Sequence, residues 1–167
     1  ALIWVARRLE ARDVPGGTIW PAATLLVLVF LQVVAGAFVA GLDAGMGYNT
    51  WPLMDGALIP SGLGVMEPGW RNLFENALTV QFIHRMLAYA IVLYAAVLIW
   101  RRAGRGFAGT NGWLPRIGLL IALQVGLGIS TLLLAVPLPL ALGHQALAFM
   151  LAGATIAWLA DVTPKRS

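Results

Sequence analysis

The chain has 167 residues, of which 60% are hydrophobic and 11% charged, with a formal net charge of +4 and no cysteine. So apolar a composition falls outside the range of soluble globular domains. The lack of thiols excludes disulfides, cysteine-ligated clusters and covalent c-type haem attachment.

Taken in chain order, Ala1–Arg8 (ALIWVARR) resembles Val97–Arg102 (VLIWRR). It is predicted to be the stub of an earlier transmembrane helix, with residues 1–20 forming that stub and a cytoplasmic linker. The chain has no initiating Met and no signal-peptide pattern, so it is expected to be the C-terminal portion of a longer membrane protein. Four spans follow: Pro21–Ala40, Ala77–Trp100, Ile117–Val136 and Leu138–Ala160. Each approaches the roughly 20 residues a helix needs to cross about 30 Å of hydrocarbon. Helices are required, because in lipid the backbone must satisfy its own hydrogen bonds. Residues 21–163 are predicted to form one four-helix domain, with an outer loop at 41–76 and a cytoplasmic tail at 164–167. The fold class is all-α membrane protein: a four-helix transmembrane antiparallel bundle.

The basic residues are sorted by side, which makes the net charge a topology signal and not one for nucleic acid. Arg7, Arg8, Arg12, Arg101, Arg102, Arg105, Arg116, Lys165 and Arg166 share one side if the spans alternate. Arg71 and Arg85 lie on the other, with Asp43, Asp55, Glu67 and Glu75. The positive-inside rule predicts that both termini of this multi-pass chain face the cytoplasm.

A faint two-fold pseudo-repeat runs through the spans. Leu31–Gly36 (LQVVAG) matches Leu123–Gly128 (LQVGLG), and each is followed by a helix with a histidine near its outer end. Gln32 precedes His84 by 52 positions and Gln124 precedes His144 by 20; the difference is about the length of the outer loop. Both histidines fall about 8–10 Å below the outer helix ends, at about 1.5 Å per residue. An ionisable group at membrane depth is costly and usually functional. Two imidazoles at equal depth, on helices running the same way, have the geometry for gripping one haem iron from both faces. They are the predicted metal ligands. A single such histidine would as readily be a hydrogen-bonding group between helices.

Several neighbours bear on that site. Ala88 and Ala148, one turn beyond the histidines, leave room for a macrocycle. Gly36, Ala40, Gly126 and Gly128 would let helices approach closely. Gln32 and Gln124 read as interhelical hydrogen-bonding groups, not ligands. Met66 and Met86 read as filler, and Trp20, Trp51, Trp70, Trp100 and Trp113 as interfacial belt. Arg85 needs an anion: Glu75 is one candidate and a haem propionate the other, with Arg71 as a second propionate partner.

At these residues the sequence resembles the C-terminal half of haem A synthases of the proteobacterial and mitochondrial type. The matching stretches are Ala40–Gly45 (AGLDAG), Tyr48–Asn49, Trp51–Pro52, Arg71–Asn76 (RNLFEN), Val80–Arg85 (VQFIHR), Gln124–Leu133 (QVGLGISTLL) and His144–Gln145. The resemblance covers roughly Leu31 to Asp161. It implies eight transmembrane helices in two similar halves and the oxidation of a haem O methyl group to the formyl of haem A, for cytochrome oxidase. It also implies a haem b in the C-terminal half, with His84 and His144 as its axial ligands.

The N-terminal half of that family carries a Glu-x-x-His-Arg pattern whose carboxylate is implicated in the chemistry. Here the stretch is Gln81-Phe82-Ile83-His84-Arg85, and an amide cannot exchange a proton as a carboxylate does. The complete protein is therefore expected to be an oxidoreductase, with no catalytic residue in this portion. Arg71, Arg85, Gln81, Ala88 and Ala148 are the expected cofactor-binding residues. The implied partners are the N-terminal half of the same protein, haem O, haem O synthase and the bilayer, with no nucleic acid. Two alternatives stand beside this: a quinol-linked bis-histidine electron-transfer cytochrome, and a structural or transport bundle without cofactor.

Overall fold

A computed structural model describes residues 2–10, 18–103 and 112–164. Arg12, Arg105, Lys165 and Arg166 of the basic set lie outside the described residues. The helices are α1 (Leu2–Glu10), α2 (Trp20–Gly41), α3 (Ala44–Gly47), α4 (Ala77–Ala103), α5 (Trp113–Leu133) and α6 (Leu138–Val162), with a 3-10 turn at Gly69–Leu73. No strand occurs among the described residues, only an isolated antiparallel bridge between Met54 and Ala57. α2, α4, α5 and α6 are each long and apolar enough to cross a membrane. The protein is thus an all-α membrane-type chain, as its composition requires.

The four long helices close into a ring. α2 packs against α4 and α6, and α5 against α4 and α6, so α4 and α6 stand on one diagonal. Neighbours are antiparallel. Tyr94 donates to the Pro21 carbonyl at 3.3 Å, while Gln32, further along α2, meets His84, earlier on α4. Both histidine-bearing helices therefore run in the same direction.

The apolar core occupies only one end of the bundle. Ala22, Leu25 and Val29 of α2 meet Ile91 and Ala95 of α4, Leu114, Ile117 and Ile121 of α5, and Leu151 and Trp158 of α6. This end carries Arg7, Arg8, Arg101, Arg102 and Arg116, and is called the basic end. The outward faces stay apolar: Phe30, Leu93, Leu119 and Phe149 are all exposed, as lipid-facing side chains should be. Lipid supplies no hydrophobic drive between helices, so close backbone approach matters. At Gly118, an added Cβ would sit 2.8 Å from Ile99.

Three of the four spans match the sequence boundaries to within three residues at each end; α5 is displaced. It begins at Trp113, not Ile117, because Pro115 falls in the first turn, where a missing N–H costs nothing. It ends at Leu133, not Val136. Val136 precedes Pro137, which disfavours a right-handed helical conformation there. Ala135 and Val136 instead turn left-handed, at φ 57° and 58°. Val136 N then donates to Thr131 O at 2.8 Å and Ala135 N to Leu132 O at 3.1 Å, satisfying the last carbonyls of the helix. Left-handed backbone at a β-branched valine is rare, and the tight reversal it makes brings α6 directly against α5.

α1 lies beside α6 and parallel to it: Ile3 approaches Gly153, Arg7 pairs with Asp161, and Arg8 donates to the carbonyls of Thr163 and Pro164. Asp161 is buried. It accepts from Arg7 Nε at 3.0 Å, from Arg7 Nη2 and from Trp113 Nε1 at 2.8 Å. The guanidinium carbons of Arg7 and Arg116 lie 5.6 and 5.7 Å from the Trp113 ring centroid, within cation–π range. One carboxylate thereby fastens α1, α5 and α6 at the basic end. Asp161→Ala should leave Arg7 and Trp113 without this acceptor and cost about 2 kcal/mol, the scale of charge-assisted hydrogen bonds. The check is helical signal against temperature in detergent; an unchanged midpoint would contradict the role given to Asp161.

Candidate functional site

The other end of the bundle, beneath the outer loop, is built from polar side chains. His84 is the eighth residue of α4 and His144 the seventh of α6, which sets both at about the same depth. Each meets a glutamine on the antiparallel neighbour. Gln32 Nε2 lies 3.2 Å from His84 Nε2, and Gln124 Nε2 lies 3.4 Å from His144 Nε2. Gln124 also donates to the His144 carbonyl at 3.0 Å. The interhelical role expected of the two glutamines is thus directed at the histidines themselves.

One turn beyond each glutamine, a glycine forms the floor under the imidazole. A Cβ at Gly36 would sit 3.1 Å from His84 Cε1, and one at Gly128 would sit 2.8 Å from His144 Cε1. Either glycine is needed for lack of a side chain. Gly126 differs: a Cβ there would meet nothing within 4 Å. Ala88 and Ala148 are half-buried one turn past the histidines.

Arg85 is buried, and its guanidinium is turned to the outer loop. Nη2 donates to Thr50 O at 2.6 Å and to Tyr48 O at 3.2 Å, and Nη1 to Leu53 O at 3.3 Å. Gln81 Nε2 donates to the same Tyr48 carbonyl at 3.0 Å. Glu75 is not its anion: it pairs with Arg71, whose Nε and Nη2 donate to Glu75 Oε2 at 3.0 and 2.5 Å. That pair is exposed. It holds the Glu75 carboxyl below its ordinary value, chiefly through the hydrogen bond, and raises Arg71. Its small contribution is complete above the ordinary carboxylate range and fades as the pH falls through Glu75's lowered value.

Sequence reasoning missed what orders the loop. Buried Asn72 accepts from Met66 N at 3.0 Å and donates to Met66 O and Gly69 O, both at 2.9 Å. Asn76 donates to Asn72 Oδ1 and Gly62 O, and accepts from Thr79 N at 3.2 Å, capping α4. The signal was present in Arg71–Asn76, where two asparagines stand four apart immediately before a span. Gly45 of α3 comes against Val136, so the loop lies over the α5–α6 turn.

Buried polar atoms without a partner gather at this end: Gln32 Oε1, Gln81 Oε1, His84 Nδ1, Arg85 Nε, Gln124 Oε1 and His144 Nδ1. Buried groups of this kind are almost always satisfied in folded proteins, so their clustering points to a ligand. Two imidazoles and a cation are a donor set that fits a metalloporphyrin with acidic side arms.

Bundle and site together define a class: an integral-membrane helical protein with an interior polar site at one end. The profile of the family described as cytochrome oxidase assembly protein matches residues 1–156. The chain belongs to that family. The heme A synthase of Rhodopseudomonas palustris (strain BisA53) is 47% identical over 176 residues, covering 100% of this chain and 48% of that protein. The heme A synthase of Azorhizobium caulinodans is 50% identical over 152 residues, covering 87% of this chain and 43% of its own length. That of Chelativorans sp. (strain BNC1) is 48% identical over 141 residues, covering 81% and 38%. The chain therefore spans about half the length, or less, of these curated relatives. No solved structure matches it.

The glycine floors can be tested against each other. Gly128→Ala should destabilise by about 1–3 kcal/mol, the usual cost of overpacking, whereas Gly126→Ala, two residues away on the same helix, should be neutral or slightly stabilising. Thermal midpoints in detergent decide it. Equal effects of the two substitutions would mean that helix propensity, not the His144 contact, sets the cost.

Proposed function

We propose that this chain is the C-terminal, haem b-binding half of a haem A synthase, the oxidoreductase that converts a methyl group of haem O to the formyl of haem A for cytochrome oxidase. The observation that carries the proposal is the set of buried, unpartnered polar atoms around His84 and His144. The identity of nearly half the residues with heme A synthases supports it. His84 and His144 would be the axial ligands, from the two helices on one diagonal of the bundle. Ala88 and Ala148 would flank the macrocycle. Arg85, through its unpartnered Nε, and Arg71 would face the propionates. When bound, the haem would supply a one-electron redox centre. With both axial positions filled by imidazole, it would pass electrons and not activate substrate.

Gln81 supports a non-catalytic role. It stands three residues before His84, donates to Tyr48 O, and as an amide does not titrate. The four apolar helices and the sorting of basic residues support a multi-pass inner-membrane protein with both termini cytoplasmic. The N-terminal half of the same protein, haem O as substrate and haem O synthase as supplier would be its partners.

The optical spectrum of the purified protein, oxidised and reduced, tests the ligand pair. His84→Ala and His144→Ala should each abolish the low-spin bis-imidazole signature of the haem b and lower haem content. Retention of that signature in either variant would remove the residue from the ligand set.

Arg85→Leu separates two roles. Haem retention should fall, while any haem still bound keeps its bis-imidazole spectrum. Haem affinity equal to wild type would assign Arg85 to the Tyr48, Thr50 and Leu53 carbonyls alone.

A further inference from the structure

We propose that Gln32 and Gln124 are positioning residues for His84 and His144, each accepting the second ring N–H of its histidine once the first ring nitrogen is committed to a metal. The inference rests on the haem reading above and deepens it.

The contacts define a tautomer. In each pair the glutamine amide nitrogen faces the histidine Nε2, at 3.2 Å and 3.4 Å. With the amide turned this way, as the Gln124 donation to the His144 carbonyl also favours, Nε2 offers its lone pair and the ring proton sits on Nδ1. That is the form in which Nε2 can bind a metal. A metal bound at Nε2 would displace the amide N–H from that lone pair. Each niche then holds one unsatisfied donor and one unsatisfied acceptor: His84 Nδ1 with Gln32 Oε1, and His144 Nδ1 with Gln124 Oε1. All four atoms are buried. A displaced amide, turned so that its carbonyl meets Nδ1–H, would satisfy both at once.

The surroundings restrict the alternatives. Gly36 and Gly128 lie beside the Cε1–Nδ1 edge of each ring, where an added Cβ would sit 3.1 and 2.8 Å from Cε1, so the missing side chain keeps that edge from being filled by residues 36 and 128 themselves. The glutamine on the same helix, one turn away, already contacts the ring and carries an unsatisfied acceptor. Metal-bound histidines commonly donate their other N–H to a carbonyl or carboxylate, which fixes the ring plane and makes the ligand more basic. The same Gln and Gly, four residues apart, recur on α2 and α5, so the two niches are built from the same parts.

The test uses the full-length protein purified with its haem. Gln124→Met keeps the volume and removes the acceptor; Gln124→Glu keeps an acceptor. Gln32→Met and Gln32→Glu form the second pair. Two quantities are read: the rate of haem transfer to excess apomyoglobin, and the reduction potential of the bis-imidazole haem. The Met variants should lose haem at least about 10-fold faster, the lower end of effects seen when such a partner is removed. Their potential should shift upward, because a less basic ligand favours the ferric state less. The Glu variants should retain haem and shift the potential downward. Met variants with wild-type haem loss and potential would overturn the proposal, as would Glu and Met variants that behave alike, since that is packing. If one Met variant fails to accumulate, the other copy decides. A wild-type protein with no bis-imidazole haem would sink the underlying haem reading, an outcome distinct from these.

Discussion

Two imidazoles are held inside a bundle whose outer surface is hydrocarbon-like, and each is fastened by a glutamine from the antiparallel neighbour. In such an interior a polar group without a partner costs several kcal/mol. The structure answers this by concentrating polar groups at one end and apolar ones at the other. The core of Leu25, Ile91, Ile117 and Trp158 fills the basic end, and the unpartnered polar atoms of the two glutamines and two histidines lie toward the loop end. Ring order then has a chemical consequence. With α4 and α6 on one diagonal, the histidines stand on helices that are not neighbours, so whatever satisfies both must sit within the bundle.

The outer loop is ordered by that same polar end. Arg85 reaches out of α4 to three loop carbonyls, and Gln81, one turn earlier, shares one of them. Asn72 and Asn76 tie the rest of the loop to the start of α4. Residues 48–53 are therefore fixed to the helix that carries His84, within a single turn of it. The exposed Arg71–Glu75 pair sits apart from this and adds little, because solvent screens it.

Much of the fold was legible because lipid is a demanding solvent. It requires long apolar runs, so the four spans could be read from composition alone. What the sequence hid were contacts whose logic is not periodic. Asp161 looks like an ordinary polar residue at a helix end, yet it is the buried acceptor for Arg7 and Trp113. The end of α5 was misplaced because hydropathy does not register the left-handed turn at Ala135 and Val136. Glu75 stood as one candidate anion for Arg85 because charge suggests charge, but Glu75 pairs with Arg71, and Arg85 donates to backbone carbonyls that a sequence does not reveal. The paired Gln-x-x-x-Gly stretches were seen as a repeat, but only contact distances reveal that Gln and Gly bracket one imidazole.

These bracketing contacts bear on why the two halves of the site can be alike while the loops above them differ. Gln32 and Gly36 lie four residues apart on one helix, as do Gln124 and Gly128, so each niche is fixed by a single turn and needs nothing from the connection that follows. The connection after α2 is a long, asparagine-ordered loop; the one after α5 is a tight left-handed turn. A niche that draws its geometry from one helical turn and one facing histidine tolerates both. The loop is then free to acquire its own contacts, and in α4 it has: Arg85 follows His84 and holds the loop, whereas the residue after His144 is Gln145, exposed and outside that network. The arginine makes the His84 side the one tied directly to the outer loop.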